Sequence, residues 1–219
     1  MEKGECSMDN SANIMKFESL VSEIKRDGID RLLDFVRKSD FYTAPASTKY
    51  HLAEEGGLLQ HSLHVYECLQ AKKEEGVWRE VLKDVSRETI LIVSLFHDLC
   101  KTYYYVTEYK NQKTYDPEKV SAANPRQVKT DVKGQFIWET VPGYTVDDKY
   151  PLGHGCKSVF FLLQYIRLSM EEITAVNFHM GAYCDSSEWK NLDAAYRKYP
   201  LALALHEADM EATVILENT

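Results

Sequence analysis

The sequence predicts a mainly α-helical protein, a helical bundle carrying one small β-ribbon insert, and three observations lead there. Apolar residues recur every three or four positions through most of the chain, the spacing that gives a helix one buried face. The run Ile90-Leu-Ile-Val-Ser-Leu-Phe-His-Asp-Leu-Cys-Lys101 is apolar all round a helical wheel, so it belongs inside the bundle rather than on its surface. From Thr102 to Tyr150 the pattern changes to aromatic and β-branched residues separated by turn-forming pairs.

Taken in order, the polar opening through about residue 13 has no apolar face and is expected to be a disordered tail. Ile14 to Ser39 carries helical periodicity, interrupted near Asp27-Gly28. A loop containing Pro45 leads to Gly56-Gly57, and a second helix is expected from Leu58 to about Glu75. The buried helix ending at Lys101 follows. Tyr103-Tyr-Tyr-Val-Thr-Glu-Tyr109 and Gln135-Phe-Ile-Trp-Glu-Thr140 read as strands, punctuated by Asn111-Gln112, Asn124-Pro125 and Pro142-Gly143. Together they predict a β-rich insert or lid over about residues 102–150. Helical spacing resumes at Gly153, runs through Phe160 to Leu168, and returns from Met170 to His179. A polar loop through Asp185-Ser-Ser-Glu188 precedes a last buried helix over about Leu201–Leu216. At 219 residues, with no internal repeat or low-complexity tract, the chain is expected to form a single domain, residues 1–219.

Charge narrows the function. With 26 Lys and Arg against 34 Asp and Glu, the formal net charge is −8. That argues against an extended electropositive track for nucleic acid and leaves room for a pocket holding one or two phosphates. The five cysteines, Cys6, Cys68, Cys100, Cys156 and Cys184, stand singly with no CxxC pair, which suits reduced thiols in a cytosol. Cys100 and Cys156 flank candidate site residues and read as small buried hydrophobes. No apolar stretch approaches the ~18 residues of a spanning helix. The polar start holds no signal-peptide core. A cytoplasmic protein with no membrane partner is therefore expected.

His61, His97, Asp98, His154, His179 and Asp209 are the candidate metal ligands. Each sits in or beside an apolar helical segment, where an imidazole or carboxylate is costly without a partner. A set of them converging on one interior point calls for a cation. Each also has a plainer explanation. His61 lies at the edge of the stripe Leu58, Ser62, Val65 and Leu69, and alone would suit a satisfied core histidine. His64, rotated a further ~60°, falls toward the polar face, as a surface residue or an outer partner of a ligand. His154 stands between two glycines at a helix start, which suits a turn. His179 ends a helix just before Gly181, where the helix dipole favours an imidazole without any metal. Asp209 can be paired by His206 one turn earlier. Singly none of the six surpasses its plainer explanation; in the order His, His-Asp, His, His, Asp the set does.

The segments Gly56-Gly-Leu-Leu-Gln-His61, His97-Asp-Leu-Cys-Lys101, Gly153-His154-Gly155, Phe178-His179-Met-Gly181 and Leu205-His206-Glu-Ala-Asp209 resemble the HD phosphohydrolase superfamily. The resemblance covers about Phe41–Lys101 and Gly153–Thr213. Similar Gly-Gly-Leu-Leu-x-His, His-Asp-x-x-Lys and late x-His-x-x-Asp segments stand in the HD catalytic domain of YhaM-type bacterial 3′→5′ exoribonucleases. Two features differ: no N-terminal OB-type module is expected here, and the 102–150 stretch is longer, more similar to inserts in phage- and prophage-borne HD hydrolases.

The resemblance implies an HD-domain helical bundle with a binuclear centre. His61, His97, Asp98 and Asp209 would hold one divalent metal ion, and Asp98 would bridge to a second completed by His154 and His179. Imidazole and carboxylate donors without thiolate suit Mn, Fe, Co or Zn, with Mg admitted at an oxygen-richer position. Two such ions about 4 Å apart polarise phosphate oxygens and activate water near neutral pH. Asp98 is therefore the expected catalytic bridge. Lys101, on the face of His97, is expected to neutralise a phosphate oxygen, or else to complement the helix dipole. His51 and His206 are candidates for substrate contact or for orienting a ligand.

The expected activity is metal-dependent hydrolysis of a phosphomonoester or phosphodiester of a nucleotide or short oligonucleotide. No GxSxG motif or persuasive Cys-His pair offers a side-chain nucleophile instead. Tyr103, Tyr104, Tyr105, Tyr109, Phe136 and Trp138 could stack on a base from the insert, or form a small β core of their own. Two alternatives stand: an exonuclease on RNA or DNA ends, opposed by the acidity, and a non-catalytic nucleotide-binding HD module, opposed by the intact ligand set.

Overall fold

The computed structural model describes residues 10–217. Helix α1 (Asn10–Val21) is followed by α2 (Ile29–Lys38), with the expected interruption between them. Of the tail expected to about residue 13, Asn10–Asn13 belong to α1 instead, and residues 1–9 lie outside the described residues. The Asn10 amide donates to the Tyr42 carbonyl at 2.6 Å, so the start of α1 is tied to the loop after α2. Helices α3 (Gly57–Glu74), α4 (Gly76–Val81) and α5 (Arg87–Phe96) follow. In α5 the Ser86 hydroxyl caps the Thr89 amide, and every residue from Ile90 to Phe96 is fully buried, as its apolar wheel requires.

Helix α5 ends sooner than the apolar run suggests. His97 closes it, Asp98 leaves helical geometry at φ −104° and ψ 23°, and a 3-10 turn spans Leu99–Lys101. A wheel drawn through continuous apolar sequence cannot register such a break. The break matters, because neighbours in an unbroken helix point about 100° apart, whereas here His97 and Asp98 reach the same interior region.

The insert is a three-stranded antiparallel sheet, built from β1 (Tyr105–Thr114), β2 (Lys129–Asp131) and β3 (Gly134–Val146) in the order β1-β3-β2. Tyr105 pairs with Val146 and Thr114 with Ile137, while Lys129 pairs with Phe136. Between β1 and β2 lies a short helix that the sequence pattern did not suggest, α6 (Pro117–Ala122), capped by the Asp116 carboxylate and opened by Pro117. The buried hydrophobic residues of this segment are Val120 and Phe136, with Tyr115 and Trp138 packed on the Phe136 ring.

After the insert come α7 (His154–Leu163), α8 (Met170–Asn177), α9 (Trp189–Lys198) and α10 (Pro200–Glu211), the last widening into a π-helical turn at Ala212–Leu216. Helix α9 occupies part of the stretch left between the expected polar loop and the last helix. Helices α3, α5, α8 and α10 pack around one apolar core containing Leu59, Leu91, Val176 and Leu205. Arg26 ties three parts of the bundle together, donating to Glu88 at 2.9 Å and to Glu172 at 2.7 Å, while Glu172 completes a capping box with Ser169. The architecture is a helical bundle with a small β insert. Among the described residues, no helix is long and apolar enough to cross a membrane.

Candidate metal centre

Five elements deliver the six candidate ligands to one place. His61 comes from the second turn of α3, His97 and Asp98 from the break after α5, His154 from the first residue of α7, His179 from the turn after α8, and Asp209 from α10. The Asp98 carboxylate is at the middle. Its Oδ1 lies 2.6 Å from His154 Nε2 and 3.4 Å from His179 Nε2, and its Oδ2 lies 3.5 Å from His97 Nε2 and 3.7 Å from His61 Nε2. Asp209 Oδ1 is 3.2 Å from His61 Nε2. Potential donors within 4.8 Å of one another fall into overlapping groups: His61, His97 and Asp209; His97, Asp98 and His179; Asp98, Cys100 and His154; His51, His61 and Glu217.

The outward-facing nitrogens fix the chemistry of the inward ones. His97 Nδ1 lies 2.8 Å from the Ser94 carbonyl and His179 Nδ1 2.7 Å from the Val176 carbonyl. A carbonyl only accepts, so each Nδ1 carries the proton and each ring, when neutral, turns a bare Nε2 lone pair inward. His61 Nδ1 does the same against both oxygens of Glu217, at 3.1 Å each. Consequently His61 Nε2 and His97 Nε2 face each other at 3.3 Å, and His179 Nε2 is buried without a hydrogen-bond partner. His61 Nε2 has Asp209 Oδ1 at 3.2 Å to accept a proton, whereas the orphaned His179 nitrogen is costly unless a cation stands beside it. The donor set therefore fits a divalent cation.

Charge within the site is strongly coupled. Burial opposes ionisation of Asp98, yet Lys101, His97 and His154 outweigh it and hold the carboxyl well below its ordinary range. Burial likewise opposes ionisation of Asp209, but its hydrogen bond to His61 and the other imidazoles hold it low. Burial alone would depress His61, but hydrogen bonds to Asp209 and Glu217 prevail and push it up to about 9. At His154 burial prevails and lowers the imidazole, whereas at His179 Asp98 overcomes burial and raises it.

The other expected residues are near the centre but engaged differently. The Lys101 ammonium is buried, 2.7 Å from Asp98 Oδ2 and donating at 2.7 Å to the Ala46 carbonyl. It thus serves as the counter-charge of Asp98. His206 donates from Nδ1 to the His179 carbonyl at 2.7 Å and stacks on Tyr196. His51 lies beside His61, the ring centroids 5.0 Å apart and the planes tilted by 48°; its Nε2 is buried and unpartnered, and burial, reinforced by His61 and Lys101, pushes it down to about 4. Of the insert aromatics, Tyr105 donates to the Ala46 carbonyl at 3.1 Å and Tyr103 to the Lys38 carbonyl at 3.1 Å, anchoring the base of the ribbon, while Tyr109 is exposed.

One residue escaped the sequence pattern. Glu217, just beyond the π-helical turn, is buried and binds His61 and also His64 Nδ1, at 2.9 Å. The hydrogen bonds to the two imidazoles overcome burial and hold it at about 2. It is the carboxylate that fixes the ring orientation of His61, a candidate ligand. The apolar residues before it, Val214, Ile215 and Leu216, are themselves exposed, so no apolar pattern in the sequence marked its burial.

Two glycines allow the convergence. A Cβ on Gly155 would stand 2.1 Å from the Asn177 carbonyl oxygen, so only glycine lets α7 close on the end of α8 and bring His154 to His179, with ring centroids 5.4 Å apart. Gly181 adopts φ 55°, and a Cβ there would meet the His206 ring at 2.4 Å. Beside His154 opens a cavity of about 490 Å³ whose walls include Cys156, Phe178, Met180 and Tyr183. His154, which lines that cavity, keeps 25% of its side chain exposed while His61, His97 and His179 are closed off, so His154 is the candidate ligand through which the cavity meets the centre.

Fold and site together define a helical bundle with a buried cluster of imidazoles and carboxylates that could hold a metal ion. A 74-residue segment, 33% of this chain, is 38% identical to the dihydroneopterin 2′,3′-cyclic phosphate phosphodiesterase of Methanocaldococcus jannaschii. The match spans 28% of that relative's length. No family model and no solved structure matches the chain.

Proposed function

We propose that the protein is a metal-dependent phosphohydrolase of the HD type, cleaving a phosphodiester or phosphomonoester of a nucleotide, a short oligonucleotide or a comparable small phosphorylated heterocycle. The observation that carries this reading is the convergence of four imidazole Nε2 atoms on the Asp98 carboxylate, with His179 Nε2 buried and unpartnered. The similarity to a cyclic phosphate phosphodiesterase supports the same reaction class, as does the resemblance of the motifs to the HD superfamily.

His61, His97, Asp98, His154, His179 and Asp209 would hold one or two divalent cations, with Asp98 shared. Cations there would polarise a phosphoryl oxygen and lower the pKa of a water molecule near neutrality. The chain's own residues prepare that chemistry. Lys101 keeps Asp98 ionised and fixed in direction. The Ser94 and Val176 carbonyls hold His97 and His179 with Nε2 turned inward, and Glu217 fixes the His61 ring through Nδ1. His51, neutral, presents a second unpartnered nitrogen beside His61, suited to a substrate oxygen. His206 holds the His179 turn in register. The cavity beside His154, with Phe178 and Tyr183 in its wall, suits a flat organic group attached to the phosphate.

The test is a substrate panel with Mn, Fe, Co, Zn or Mg added singly. It should contain bis(p-nitrophenyl) phosphate, p-nitrophenyl phosphate, 2′,3′-cyclic nucleotides, nucleoside monophosphates and a labelled oligonucleotide. Metal-dependent release of product, stopped by chelator, is expected from the small esters. Failure to hydrolyse any of them with any of these metals would sink the proposal, and cleavage of the oligonucleotide alone would favour the exonuclease.

A further inference from the structure

Cys100 is buried, yet it stands outside the apolar core cluster. It has two polar partners. Its amide donates to the Ser158 hydroxyl at 3.1 Å, and its Sγ lies 3.4 Å from both Nδ1 and Nε2 of His154. Equal distances to both ring nitrogens put the sulfur midway between them rather than along either lone pair, so no single hydrogen bond accounts for the contact. Ser158 is one turn beyond His154 on α7, so that helix fixes both the imidazole and the thiol. Among the groups of potential donors, His154 shares its group with Asp98 and Cys100, whereas His179 shares its group with His97 and Asp98. The third donor grouped with His154 is thus a sulfur. An independent sign that this interior is made for a cation is His179 Nε2, buried, unpartnered and 3.4 Å from the same Asp98 oxygen that meets His154.

We propose that Cys100 is a thiolate ligand, forming with Asp98 and His154 a mixed sulfur, oxygen and nitrogen position that selects a thiophilic divalent ion over Mg. The inference rests on the metal-centre reading and departs from the thiolate-free ligand set that the HD resemblance implies. Binding would form a sulfur–metal bond, and the thiol proton would leave to solvent, as it does whenever a thiol coordinates such an ion. A sulfur donor favours Zn(II) or Fe(II) and leaves Mg, which takes oxygen, at a disadvantage.

Cobalt(II) substitution reads the bond directly, because thiolate-to-cobalt charge transfer adds a near-ultraviolet band that imidazole and carboxylate ligands do not give. The full-length protein loaded with cobalt should show that band. Cys100→Ser and Cys100→Ala should lose it while keeping the visible cobalt bands of the remaining sites, and Cys156→Ser and Cys184→Ser should keep it. Circular dichroism establishes that each variant is folded; should both Cys100 variants misfold, sulfur-edge or cobalt-edge X-ray absorption of the parent answers the same question. Cobalt bound without the band, or a band that survives Cys100→Ser, overturns the thiolate and leaves the hydrolase reading standing. A Cys100-dependent band in a protein that cleaves no phosphate ester upholds the thiolate and removes the hydrolase reading. A protein that takes up no cobalt overturns both.

Discussion

Asp98 in the bundle and Asp131 in the insert each pair with a lysine at nearly the same distance, Lys101 at 2.7 Å and Lys113 at 2.6 Å. Their surroundings differ. The Asp98 and Lys101 side chains are 3% and 11% exposed, those of Asp131 and Lys113 25% and 36%. Water screens the second pair and stands ready to solvate either partner alone, so its loss is cheap. The first pair has no such recourse: each charge was desolvated on folding, and removing one strands the other. One bond length therefore describes two different commitments. In the bundle the fold is built around a charged centre, and in the insert charge decorates a ribbon whose buried hydrophobics are Val120 and Phe136.

The harshest way to break this comparison is Asp98→Ala. Stranding the Lys101 ammonium should lower the stability of the metal-free protein by about 3–5 kcal/mol. Metal uptake and hydrolysis should fall by more than the roughly 10–100-fold typical of losing an outer partner of a ligand. Denaturant titration, metal analysis and the substrate panel check all three. A variant as stable as the parent would mean that the interior is wet and the contrast with Asp131 unfounded.

Glu217→Gln acts one layer out. It nearly preserves volume but removes the negative charge shared by His61 and His64. The expected loss is about 10–100-fold in metal affinity, with the fold retained. Equal affinities by competition with a chromogenic chelator would reduce Glu217 to a packing residue.

The same contrast explains what could be read in the sequence. The helical bundle was legible because burial leaves periodic apolar residues, and the β ribbon because aromatic and β-branched runs alternate with turn pairs. The candidate ligands stood out because imidazoles and acids are conspicuous in apolar helices. Other features were illegible for physical reasons. The break at Asp98 leaves no mark in a continuous apolar run. Glu217 is one of 34 acidic residues, and only the three-dimensional return of the chain buries it. Lys101 was matched with His97 on the wheel, although its bond is to Asp98, three residues back, a spacing that also meets on one helix face. Helix α6 in the insert is six residues long, too short to establish a period.

Gly155→Ala tests how tightly the bundle side is constrained. The new methyl would press on the Asn177 carbonyl and force α7 away from α8. Overpacking of this kind costs about 1–3 kcal/mol. Since His154 opens α7, activity should fall further than stability alone explains, by more at low metal concentration than at saturation. An activity loss that saturating metal does not lessen at all would mean that α7 placement does not govern the ligand.

Lys113→Ala should have the smallest effect, and its smallness is the point. The substitution removes the ion pair with Asp131 and the ammonium that sits 4.2 Å from the Phe136 ring. Asp131 then keeps its backbone contact to Lys133 and its hydrogen bond from Tyr115, and water takes the remaining oxygen capacity. The Asp131 carboxyl, now held at about 2 chiefly by Lys113, should move up toward its ordinary value, visible in an NMR pH titration. The thermal midpoint of the bundle and the metal affinity should stay within experimental scatter. A shifted carboxyl with unchanged unfolding is the signature of a solvated pair, and a fall in the bundle's midpoint would show that the ribbon is coupled to the core more strongly than its exposed strands suggest.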